Sequence, residues 1–132
     1  MSYKVMIVDD AAMMRLYISS FLKSLPEFNM VAQAANGQEA LDKLSDYPDL
    51  DLILLDIEMP VMDGLQATEA IRGLEGDPEI HIPVVGLTAH ASAEDRERCL
   101  QAGMDGYLTK PLNLSDLDKV LADVMNRELI PC

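Results

Sequence analysis

Short apolar runs alternate with longer segments of helical periodicity along nearly the whole chain, and this alternation limits the fold more than any other feature. Lys4–Val8 reads as a strand. Met14, Ile18, Phe21, Leu22 and Leu25 follow at helical spacing, and Pro26 ends that helix. Met30–Ala34 reads as a second strand, Asn36-Gly37 as a turn, and Ala40, Leu41 and Leu44 as a helix reaching Pro48. Leu52–Leu55 is unbroken apolar sequence, as expected of a strand covered on both faces. A loop from Met59-Pro60 to Asp63-Gly64 precedes a helix carrying Leu65, Thr68, Ile71 and Leu74. Val84–Leu87 is the next strand. A helix with Arg96, Cys99 and Leu100 stops near Gly103, and Tyr107–Thr109 is a short strand closed by Pro111. Leu114, Leu117, Val120, Leu121, Val124 and Met125 form a last helix that Asn113 or Ser115 can cap.

Five strand–helix units in a row predict an α/β protein: a parallel five-stranded sheet, right-handed crossovers and helices on both faces. The 132 residues suit one domain, and 49% hydrophobic residues are too many for a disordered chain. No stretch approaches the ~20 apolar residues of a membrane span. Met1–Asp10 has neither the basic start nor the apolar run of a secretory leader. Asp and Glu number 23 against 10 Lys and Arg, a formal charge of −13. That field repels phosphate backbones and anionic membranes, so neither nucleic acid nor membrane is an expected partner. Cys99 and Cys132 have no metal-ligand spacing and build no disulfide framework, which makes a reducing, cytoplasmic setting the default.

In a doubly wound sheet, functional groups gather beyond the carboxyl ends of the strands. Reading just past each strand gives Asp9-Asp10, then Asp56 with Glu58, then Thr88-Ala89-His90, then Lys110. Loop entry explains any one of these polar residues, but not the grouping of acids after strands one and three with a hydroxyl and an ammonium after four and five. Crowded carboxylates repel one another, and a hard divalent cation such as Mg²⁺ removes the repulsion. An ammonium and a hydroxyl beside it suit phosphoryl oxygens, and a carboxylate nucleophile yields an acyl phosphate.

The segments VMIVDD at 5–10, LILLDIEMPVMDG at 52–64, VVGLTAHA at 84–91 and AGMDGYLTKP at 102–111 resemble those of response-regulator receiver domains, the CheY-like family of two-component signalling. The resemblance implies the flavodoxin-like strand order 2-1-3-4-5. It makes Asp56 the phosphoacceptor. It gives Mg²⁺, with Mn²⁺ as a substitute, to Asp9, Asp10, Asp56 and the backbone carbonyl of Glu58. Thr88 and Lys110 would contact the phosphoryl oxygens, with a cis bond between Lys110 and Pro111. Tyr107 would turn inward as Thr88 is drawn to the phosphate, although by itself it reads equally as a half-buried strand aromatic. Glu58 and His90 hold the positions that tune phosphate lifetime, and Ala89 leaves room for a phosphodonor. The implied partners are a histidine kinase or histidine phosphotransfer protein, and an effector that binds the face made by the fourth helix, fifth strand and fifth helix. Met13, Met14 and Arg15 begin a helix on which a phosphotransfer helix can dock.

Other readings compete. An aspartyl phosphohydrolase wants an early DxD element and a substrate cap, whereas Asp56 lies mid-chain. A cobalamin module wants His where Glu58 stands, a flavin module would be coloured, and a receiver that takes no phosphate would lack part of the acid–Thr–Lys set. The expectation is one receiver domain over 1–132, with a core of about 4–127 and no output domain. A stand-alone protein is favoured over a domain cut from a hybrid histidine kinase.

Overall fold

The computed structural model describes residues 3–25, 27–47, 49–57, 64–75, 82–88, 93–109, 115, 116, 119 and 120. In chain order these form β1 (Tyr3–Val8), α1 (Ala12–Lys23), β2 (Phe28–Ala34), α2 (Gly37–Leu44), β3 (Leu52–Asp56), α3 (Gly64–Glu75), β4 (Val84–Thr88), α4 (Ala93–Ala102) and β5 (Gly106–Thr109). The strands make one sheet in the order β2-β1-β3-β4-β5, every neighbouring pair parallel. The α/β fold and the strand order are those expected. Of the last helix, Ser115, Asp116, Lys119 and Val120 are helical, and Val120 packs on the core. The remaining residues assigned to it lie outside the described ones.

Strand periodicity explains the two-sided core. Val5, Ile7, Leu52, Leu54, Val85, Leu87 and Leu108 face one way and meet Ile18 and Leu22 of α1. Met6, Val8, Ile53, Leu55 and Val84 face the other way, against Ala40, Ala67, Ile71 and Cys99 of α2, α3 and α4. β3 is buried at every position, as its unbroken apolar run requires.

The pairing of β1 with β2 slips between Val5 and Met6: Val5 faces Met30, but Met6 faces Ala32. The extra residue switches the faces of β2. Phe28 and Met30 pack on the α1 side, while Ala32 and Ala34 lie on the other, although all four have even numbers.

Several boundaries move for local reasons. β2 begins at Phe28 rather than Met30, because Phe28 pairs with Tyr3 and stacks on its ring at 5.2 Å. α1 ends at Lys23, since the Ser24 and Leu25 amides turn back to the carbonyls of Phe21 and Leu22; Leu25 still packs on the core, but from outside the helix. Asn36 does more than turn the chain: its Oδ1 accepts the Glu39 amide at 2.8 Å and caps α2.

At the amino ends of β4 and β5, Arg72 of α3 ties three segments together. Its Nη2 pairs with Asp105 at 2.8 Å, its Nε donates to the Gly103 carbonyl at 2.9 Å, and its Nη1 donates to the Ile82 carbonyl at 2.8 Å. Asp105 also accepts the Val84 amide at 2.9 Å. Gly103 turns the chain there with φ +105°, a conformation that favours glycine.

Candidate functional site

After α1, the chain crosses to β2 on one side of β1; after α2, it crosses to β3 on the other. The gap between the carboxyl ends of β1 and β3 is therefore the switch point of the sheet. β1 ends at Val8 and delivers Asp9 and Asp10 to that gap. β3 delivers Asp56 as its own last residue, since Asp56 stands opposite Leu87 in the ladder with β4. Thr88 likewise ends β4, opposite Thr109. Both residues lie within strands rather than just beyond them.

Carboxylate oxygens from Asp9, Asp10 and Asp56 all lie within 4.8 Å of one another. Asp9 and Asp56 are buried at 1% and 2% exposure, and Asp10 is exposed. Octahedral Mg²⁺ holds oxygens at about 2.1 Å, which sets neighbouring ligands roughly 3 Å apart and opposite ones roughly 4 Å apart. An all-oxygen donor set of this spread, with one side open to solvent, fits a small hard dication with room left for water or phosphate.

Local bonds fix these groups. Asp9 Oδ1 accepts the Ala11 amide at 2.9 Å, and the Asp9 amide donates to Ala34 at 3.1 Å. Ala11 offers no capping side chain to α1, so the Asp9 carboxylate supplies the negative group that a helix start favours. Beyond Asp56, the Ile57 amide donates to Leu87 and the Gly64 amide donates to Ile57, both at 2.9 Å. The chain thus returns onto the end of β3. A Cβ at position 64 would stand 2.5 Å from the Asp56 carbonyl oxygen, so only glycine fits this close approach. Thr68, fully buried, donates its hydroxyl to the Gly64 carbonyl at 2.7 Å and braces the same corner.

Thr88, 3% exposed, shares the side parity of Val84 on the α4 face. Tyr107 packs on that same face, opposite Gly86, and is half-buried. The Arg96 guanidinium of α4 lies 6.0 Å from its ring centre. Gly86 leaves a gap there that Met104 fills: a Cβ would meet its sulfur at 2.5 Å. Glu58, Ala89, His90, Lys110 and Pro111 lie outside the described residues. Sequence reasoning gave Arg15 only a docking role, yet its Nη1 donates to the Asp9 carbonyl at 2.6 Å. The signal is a cation six residues past Asp9, about one helical turn into the next element.

A family model described as the response regulator receiver domain matches residues 5–122. A protein-glutamate methylesterase/protein-glutamine glutaminase of Rhodospirillum centenum is 42% identical over 127 residues, covering 96% of this chain and 31% of that protein. The chemotaxis protein CheY of Halobacterium salinarum is 35% identical over 95% of this chain and 98% of that one. CheY6 of R. sphaeroides, solved in complex with the P1 domain of CheA3, superposes with TM-score 0.78 at 46% identity, covering 94% of this chain and 97% of that chain. The chain spans less than a third of the length of the curated relatives it matches first. Among the described residues no helix is long and apolar enough to cross a membrane. Sheet order, acidic switch point and sequence agree, and the chain belongs to the response regulator receiver domains of two-component and phosphorelay systems.

Proposed function

We propose that this receiver takes a phosphoryl group from a phosphohistidine onto Asp56 and that the modification changes a protein-binding face. The observation that carries the reading is the meeting of three carboxylates, two of them buried, at the switch point of the sheet. Asp9, Asp10, Asp56 and the Glu58 backbone carbonyl hold Mg²⁺. When bound, the ion neutralises the acids and the phosphoryl oxygens that approach them. An Asp56 carboxylate oxygen attacks phosphorus in line; the O–P bond forms as the P–N bond breaks, and the imidazole leaves with the electron pair. The Thr88 hydroxyl and the Lys110 ammonium take hold of the phosphoryl oxygens. Water later cleaves the acyl phosphate, and Glu58 and His90 set how fast it approaches.

The switch follows from the α4 face. As Thr88 moves toward the new charge, it frees space for Tyr107, which shares its side of the sheet. Movement of Tyr107 disturbs Arg96 and the open depression beside it, lined by Ala93, Arg96, Glu97, Leu100 and Gln101. An effector that binds one arrangement better shifts the population toward it. For the donor, α1 offers Met13, Leu16 and Tyr17, exposed at 78%, 61% and 45% and placed at i, i+3 and i+4 beside the acids. The great length of the first relatives favours a second arrangement in which the same domain is one module of a longer chain.

The test is mass spectrometry after incubation with acetyl phosphate and Mg²⁺. One added phosphoryl group, absent in Asp56→Asn and after chelation, is the expected result. An unmodified wild type, or an equally modified variant, overturns the reading.

A further inference from the structure

We propose that Arg15 is a positioning residue for the divalent cation, its forked guanidinium locking the Asp9–Asp10 peptide so that both carboxylates meet Asp56 in a ready-made cluster. The inference rests on the metal-binding reading above. Arg15 stands half-buried on α1. Its Nη1 donates to the backbone carbonyl oxygen of Asp9 at 2.6 Å, while its Nε donates to Gln33 Oε1 at 3.0 Å. Gln33 lies near the carboxyl end of β2, paired with Ile7 of β1. One planar group therefore joins α1, the end of β1 and β2.

The Asp9 carbonyl belongs to the peptide that links Asp9 to Asp10, so fixing it fixes how two ligands sit relative to each other. The rest of Asp9 is already held: its amide donates to Ala34, and its carboxylate accepts the Ala11 amide. Arg15 adds a restraint on the carbonyl itself. Orienting partners behind metal ligands commonly change affinity by about 10–100-fold when removed.

Position and charge predict opposite outcomes, which makes the idea testable. As a cation beside a cation site, Arg15 opposes Mg²⁺ by simple Coulomb repulsion. As a fork that grips two acceptors at once, it favours Mg²⁺ by holding the ligands ready. Lysine keeps the charge but presents a point donor in place of the fork.

The experiment titrates Mg²⁺ calorimetrically into the full chain, as wild type, Arg15→Met, Arg15→Lys and, as reference, Asp10→Asn. Each protein is also melted without divalent cation, and the titrations are run well below every melting point. Both Arg15 variants are expected to bind Mg²⁺ about tenfold more weakly, with Arg15→Lys no better than Arg15→Met. Unchanged affinity with a lowered melting point would reduce Arg15 to a packing role and overturn the proposal. Tighter binding by Arg15→Met, with Arg15→Lys like wild type, would make charge its only contribution and overturn it too. A wild type that binds no Mg²⁺ would remove the metal reading itself, a result distinct from either.

Discussion

At the amino ends of the strands, Asp105 meets Arg72, the Lys4 amide donates to Asp51 at 2.8 Å, and the Lys4 ammonium reaches Asp49. At the carboxyl ends, Asp9, Asp10 and Asp56 crowd together within 4.8 Å. The same sheet thus carries acids at both ends, but at one end they meet cations or a backbone amide, and at the other three carboxylates converge on one point. Arg72 and Asp105 stand at 18% and 19% side-chain exposure, and the guanidinium also serves the carbonyls of Gly103 and Ile82. That end is arranged for stability. The opposite end holds like charges together, which costs stability until an ion or a phosphoryl group makes use of them.

The sharpest way to break this contrast is Arg72→Met. It takes the cation from Asp105 and one donor from each of two carbonyls, and urea unfolding is expected to show a loss of about 3 kcal/mol. Mg²⁺ affinity measured on the folded variant should stay at the wild-type value; a large fall would mean that the two ends are not independent. Gly64→Ala tests the corner that supports Asp56. The added methyl meets backbone, not a flexible side chain, so a loss of about 2 kcal/mol is expected in the same assay. Phosphoryl uptake from acetyl phosphate should slow as well, because the displaced carbonyl is that of Asp56.

Asp56→Asn should do the reverse of both. Without divalent cation it relieves repulsion and is expected to stabilise by about 1 kcal/mol, read as a higher melting point. Added Mg²⁺ should raise the melting point of wild type by more than that of the variant. A variant less stable than wild type in chelator would show that the acids are not in conflict. The smallest effect belongs to Lys4→Met. The Lys4 ammonium holds the Asp49 carboxyl below its ordinary value, chiefly through their hydrogen bond. Its contribution is thus present above the ordinary carboxylate range and disappears as pH falls through the lowered value. Asp49 is exposed to solvent, so wild type and variant should unfold almost together at pH 7, the gap closing further in acid.

Much of this arrangement is legible in the sequence because it is local. Leu52–Leu55 announces a strand buried on both faces, and the acid that follows it must sit at the strand's end. What periodicity misses is pairing. Asp56 and Thr88 look like loop residues until the ladders with Leu87 and Thr109 draw them into the sheet. Arg72 and Asp105 stand 33 positions apart, and nothing along the chain says that α3 will reach the turn before β5. Arg15 is near Asp9 in sequence, but its second acceptor, Gln33, arrives only through the register of β2. The expected positions of Glu58, His90 and Lys110 fall outside the described residues.

The slipped register in β2 has a consequence for how such domains tolerate changes of length. Past the slip, Ala32 and Ala34 turn away from α1, which leaves the alternate position, Gln33, on the side where Arg15 waits. Removing the extra residue, Val31, would restore strict alternation and still leave Gln33 opposite Ile7, on the side of the guanidinium. In this protein the outer strand can therefore shed one residue between the core contacts of Phe28 and Met30 and the bond from Gln33 to Arg15 while keeping both.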